Sequence, residues 1–137
     1  MTNYITISCF LGLLLLSCGK GSRSTLNDPI PSGTIVAMGQ FEGLNSKTVT
    51  GAASIYKVNT EGSFIVRLEG IASPSENGLQ VVVKTSDTTV LKTPLRSTNG
   101  SQNYSFTVTD IVTWSYVSIF STLSNLNYGM AILKKSD

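Results

Sequence analysis

The chain has 137 residues, with ten Lys and Arg against eight Asp and Glu for a formal net charge of +2, and no His. Without His, a Ser-His-Asp or Cys-His arrangement, a His-ligated zinc and a His-ligated haem are excluded. Dispersed charges of nearly balanced sign argue against nucleic-acid binding.

The first element is an apolar run from Ile5 to Leu16. It suits a signal-peptide core and falls well short of the roughly 20 residues needed to span a bilayer. Met1 to Tyr4 contains no Lys or Arg, so the amino terminus alone supplies the positive charge of such a signal. Leu15-Leu16-Ser17-Cys18, followed by Gly19, resembles a bacterial lipobox. That resemblance implies cleavage before Cys18 and lipidation of its thiol. Residues 1–17 are then a lipoprotein signal peptide, and Cys18 is the lipid anchor. Cys9 would be lost with the signal, leaving the mature chain with no free thiol for a disulfide or a metal.

Residues 18–33 read as a flexible tether, rich in Gly, Ser and Pro and without apolar periodicity. Lys20 and Arg23 lie close to the proposed anchor, where each gains about 1 kcal/mol beside anionic head groups, or is simply solvated. No acidic run follows Cys18. The expected location is therefore the cell envelope, on the periplasmic face of an outer membrane.

Residues 34–135 read as one all-β domain. Candidate strands are 34–41, 49–58, 63–71, 79–85, 89–95, 103–109, 112–121 and 128–134, separated by turn-forming stretches such as 59–62, 73–78 and 98–101. Eight strands in about 100 residues predict a sandwich or a barrel, and a single antiparallel β-sandwich is the expected form. Alternation directs Phe64, Val66 and Leu68 inward against Ile65, Arg67 and Glu69, and Tyr104, Phe106 and Val108 inward against Ser105, Thr107 and Thr109. Leu79, Val81 and Val83 form a third inward face, while Val82 predicts partial cover on the other side. In the run ending at Phe120, Val117 and Ile119 share one face and Trp114, Tyr116, Ser118 and Phe120 the other. These aromatic residues, with Tyr128, are read as core or sheet-covering groups or as an exposed ligand platform.

The strand texts Gly51-Ala52-Ala53-Ser54-Ile55-Tyr56, Gly100-Ser101-Gln102-Asn103-Tyr104, Tyr116-Val117-Ser118-Ile119-Phe120 and Tyr128-Gly129-Met130-Ala131-Ile132-Leu133 resemble successive signatures of the DM-thirteen electron-transfer domain. That family is a small β-sandwich module of Skeletor-like animal proteins and bacterial lipoproteins, and the similarity covers residues 34–134. The resemblance implies electron transfer through a cysteine in the penultimate strand. Here that neighbourhood reads Ile119-Phe120-Ser121. A serine hydroxyl cannot replace a thiol in one-electron chemistry, so electron transfer would need a bound cofactor.

Other chemistry has little footing. Gly19-Lys20-Gly21 lacks the strand and helix context of a phosphate loop. The carboxylates are spread along the chain without a metal-binding cluster. A pair such as Glu69, before the 73–78 loop, and Glu76, within it, could act as the two carboxylates of a glycosidase; the plainer reading is solvated surface charge. The sequence thus predicts a membrane-anchored, non-enzymatic binding or structural module without catalytic residues, metal or cofactor. Its partners are the membrane, through lipidated Cys18, and an envelope protein or glycan. Electron transfer is the alternative.

Overall fold

The computed structural model describes residues 25–137, which form ten strands and no helix. In chain order these are β1 (Leu26–Asn27), β2 (Thr34–Gly43), β3 (Thr50–Lys57), β4 (Ser63–Ala72), β5 (Leu79–Thr85), β6 (Thr89–Pro94), β7 (Asn99–Thr107), β8 (Trp114–Ser121), β9 (Leu126–Ile132) and β10 (Lys134–Lys135). Each of the eight predicted strands overlaps one of the long strands, and β5 has the predicted bounds, but β7 begins at Asn99, inside the predicted 98–101 turn.

The all-β class holds, but the predicted antiparallel sandwich of separate sheets is corrected in two respects. The strands form one curled sheet in the order β1-β7-β4-β3-β2-β9-β8-β5-β6, with β10 beside β2. β1 runs parallel to β7, pairing Leu26 with Gly100 and Asn27 with Ser101, so the sheet is mixed. β2 is paired along both edges and joins the two halves. It meets β3 from Thr34 to Gln40, and Phe41, Glu42 and Gly43 meet Ala131, Met130 and Gly129 of β9. Lys134 and Lys135 pair with Met38 and Ala37 of β2.

The registers define two ends. Thr34 pairs with Lys57, and Ser63 with Thr107, at one end; Thr50 pairs with Ala72, and Ala72 with Asn99, at the other. We refer to these as the Thr34 end and the Gly43 end. Between the halves lies one core. Val66 and Leu68 of β4, Val81 and Val83 of β5, and Val117 and Ile119 of β8 are fully buried, as alternation requires. Burying such an aliphatic side chain contributes about 1.5–3 kcal/mol.

The segment before β2 differs from a structureless tether. Residues 26–33 form a strap docked on the sheet. Asp28 N donates to the Ser101 carbonyl at 2.9 Å, and Asn103 N donates to Asp28 Oδ2 at 2.9 Å. Arg67 belongs to the outward set of β4, yet it is only 4% exposed. Its Nη1 donates to the carbonyls of Asp28 at 2.9 Å and Pro29 at 3.1 Å, and to Asn103 Oδ1 at 3.0 Å. A guanidinium withdrawn from water is tolerable only when its donors find acceptors, and the strap supplies two of them. Arg96 forms an ion pair with Asp28 and lies 5.2 Å from the centroid of the Tyr104 ring. The Asn103 amide, and after it Arg96, hold the Asp28 carboxyl below its ordinary range.

Candidate functional site

Two bulges shape the Thr34 end. In β2, Ile35 pairs with Tyr56 and Ala37 with Ile55, which leaves Val36 as an extra residue. In β8, Tyr116 pairs with Lys84 and Trp114 with Thr85, which leaves Ser115 extra. A bulge turns the following side chains to the other face. The Ser115 bulge therefore separates Trp114 from Tyr116 and Phe120, with which simple alternation groups it, and Trp114 packs against the core cluster. The Ser115 carbonyl accepts from Leu133 N at 2.9 Å, and the Val36 carbonyl accepts from Ser136 N at 3.1 Å, so the C-terminal segment holds both irregularities in place.

Trp114 stands at the centre of an aromatic trio. Its ring meets Phe64 edge-on at 5.1 Å and Phe106 at 5.9 Å, and the two Phe rings stack at 5.9 Å. Such geometries contribute about 0.5–1.5 kcal/mol per pair beyond burial. Over Phe64 and Trp114 of this trio opens a cleft of about 570 Å³, bounded by the 58–62 turn and the 108–113 crossover. A second hollow of about 470 Å³ shares Val36, Ile111, Val112 and Trp114 with it. Asn59 shapes the turn by accepting from Glu61 N at 3.0 Å and Ser63 N at 3.2 Å, and Val108 N donates to the Gly62 carbonyl at 2.9 Å.

The floor is apolar, with Val36, Phe64, Val112 and Trp114, while Thr60, Thr109, Lys57, Glu61 and Asp110 supply hydroxyls and charges. Ile111 sits on the crossover fully exposed. A volume of this size with a few polar groups around an apolar floor is the usual form of a small-ligand site. The lining offers stacking and hydrogen bonding and contains neither Cys nor His.

The residues singled out from the sequence lie elsewhere or act otherwise. Cys18, with Cys9, Lys20 and Arg23, lies outside the described residues. Glu69 and Glu76 do not form a working pair. Glu69 is ion-paired with Arg67. Glu76, near the Gly43 end, accepts from Ser121 Oγ at 2.7 Å and from the Tyr128 hydroxyl at 2.9 Å. The Ser121 bond, then the Tyr128 bond and nearby Lys47, lower the Glu76 pKa against a partial opposing effect of burial. A glycosidase acid needs the opposite shift.

Ser121, at the position where the resemblance implies a thiol, is fully buried and also accepts from Ser124 N at 3.2 Å. It pins the 73–78 loop to β8. Tyr116 and Phe120 stay on the outward face, with the ammonium groups of Lys84 and Lys92 at 5.9 Å and 5.2 Å from their ring centroids. Val82 and Ser118 are buried between them, as the apolar Val82 predicts for its strand. Among the described residues no three Asp, Glu, Cys or His converge as a metal site.

Sequence reasoning missed the cleft because both bulges break the alternation on which it relied. One signal was present: Ile111-Val112 directly after Asp110 is an apolar pair in a crossover between strands. No family model, curated protein or solved structure matches the chain, so its function is argued from this geometry.

Proposed function

We propose that this chain is a lipid-anchored envelope protein whose β-domain binds a small ligand in the Trp114 cleft and performs no covalent chemistry. Cys18 is the lipid anchor, the residues before it are a cleaved signal, and the domain faces the periplasm from the outer membrane. The observation that carries the binding role is the cleft itself, an apolar aromatic floor ringed by threonine hydroxyls, two carboxylates and a lysine. A glycan fragment suits such a lining: its C–H faces pack on aromatic rings while its hydroxyls find donors and acceptors at the rim. Kinship with sandwich modules of the DM-thirteen type rests on the strand texts alone. Their electron-transfer role is not carried over, since Ser121 is committed to Glu76.

Trp114 is the chain's single tryptophan, so its emission reports on the cleft alone. Titrating the full-length protein, purified gently from its own membranes, with soluble peptidoglycan fragments should give a saturable change in that emission. Native mass spectrometry of the same sample should show lipid on Cys18, and Cys18→Ala should abolish fatty-acid labelling. An unchanged emission would remove the glycan reading. A visible chromophore of matching extra mass would favour electron transfer instead.

A further inference from the structure

The strap changes where the tether leaves the domain. β2 begins beside the cleft, because Thr34 pairs with Lys57 and Lys57 lines the cleft. A chain entering β2 directly would therefore arrive at the cleft. Instead, residues 26–33 run past Arg67 and Asn103 and begin at Leu26, which pairs with Gly100 at the Gly43 end.

We propose that the strap is an orienting clasp: it sends the lipid tether out at the end opposite the Trp114 cleft, so that the cleft is presented away from the bilayer holding the chain. This rests on the lipid-anchored reading above. Its consequence for the ligand is that it is a glycan met across the aqueous space, not a lipid of the anchoring membrane.

Three observations support the clasp. Arg67 is withdrawn from water, and two of its acceptors are strap carbonyls. Asp28 is held from two sides, by the Asn103 amide and by Arg96. Gly100 has φ +99°, and a Cβ there would lie 1.9 Å from the Leu26 carbonyl oxygen, so this position accommodates the close approach of the strap. Chain length makes the docking consequential. Eight residue steps separate Cys18 from Leu26, a reach of at most about 29 Å, and sixteen separate Cys18 from Thr34, about 58 Å. The ten residues of β2 span about 33 Å, so the docked leash is shorter than the domain.

Energy transfer from tryptophan to dansyl-headgroup lipid tests this in vesicles of phosphatidylethanolamine and phosphatidylglycerol carrying the full lipidated protein. Trp114 reports the cleft end. The variant Trp114→Phe/Leu123→Trp reports the other end, where Leu123 is 71% exposed in the turn between β8 and β9. With the ends about 30 Å apart, transfer from position 123 should exceed that from Trp114 roughly threefold or more. Asp28→Ala/Asn103→Ala, which loosens the strap while leaving the core untouched, should raise transfer from Trp114 and shrink the difference. Equal transfer from both ends in the unloosened protein overturns the proposal, and so does a loosened strap that changes nothing. If mass spectrometry finds no lipid on Cys18, the anchor reading fails separately. The orientation is then read on full-length Cys9→Ser protein coupled through Cys18 to a maleimide headgroup, with the same two outcomes.

Discussion

Arg67→Met separates the strap from the rest of the fold. Methionine keeps the reach and most of the volume of the arginine stem but removes every donor. In the intact protein the guanidinium donates to two strap carbonyls and to Asn103 Oδ1. Hydrogen bonds to a charged partner contribute about 1.5–3 kcal/mol each when the alternative is a buried unpaired group. The loss cannot reach their sum, because strap carbonyls left without donors recover water as the strap lifts, and lifting caps the penalty. We expect the strap to open more easily by about 2–3 kcal/mol, a roughly 30- to 150-fold rise in amide exchange for Asp28 and Asn103. Amides of Ile119 and Val66 in the core should change far less, since neither contacts the strap through the sheet ladder. Glu69→Ala is the control: that carboxylate is 56% exposed, so its ion pair with Arg67 is worth about 0–1 kcal/mol. Native-state hydrogen exchange resolved by residue makes the measurement. Exchange that rises equally in strap and core, or in neither, refutes the argument that Arg67 is held for the strap.

Trp114→Ala removes two edge-on aromatic contacts, at 5.1 and 5.9 Å, and should lower stability by about 2–3 kcal/mol in urea followed by far-ultraviolet circular dichroism. A double-mutant cycle with Phe106→Leu should give a coupling of about 1 kcal/mol, and strict additivity would contradict the trio. Asp28 and Glu76 both have folded-state pKa values below the ordinary 3.8 and 4.5, so their ionised forms favour the fold. That contribution is complete above the ordinary values and is lost as the pH falls through the lowered ones. Thermal midpoints should accordingly drop as acid is added, and Glu76→Gln should flatten part of that decline; an unchanged slope would mean the Ser121 and Tyr128 bonds do not hold the carboxylate. Gly129→Ala should destabilise by about 1–3 kcal/mol, because a Cβ there would lie 2.5–2.8 Å from Val49 side-chain atoms. A midpoint equal to the parent would show that Val49 yields freely.

The strands were legible because their texts alternate. Val66 and Leu68, and Leu79, Val81 and Val83, point inward as their spacing requires, and turn chemistry brackets most strands closely. What alternation cannot register is an inserted residue. Ser115 is such a residue, and it turns Trp114 toward the core, away from the face of Tyr116. Asn99-Gly100 reads as a turn by composition but lies inside β7, where the glycine accommodates another backbone and not a reversal of its own. Arg67 reads as solvent-facing because its neighbours on the strand do, and nothing local reveals that residues 28 and 29 return to cover it. In each case the deciding contact comes from a segment distant in sequence.

The pairing of β2 along both edges also fixes the timing of assembly. β2 is the first long strand of the domain, yet one of its edges is completed only by β9 and β10, the last strands in the chain. Contacts of such sequence separation slow folding, since the whole intervening chain must be gathered before they form. No chain that lacks β9 and β10 can close this sheet. For the exported precursor proposed above, that delay is useful: the polypeptide stays open until β9 and β10 have crossed, and then shuts as a unit.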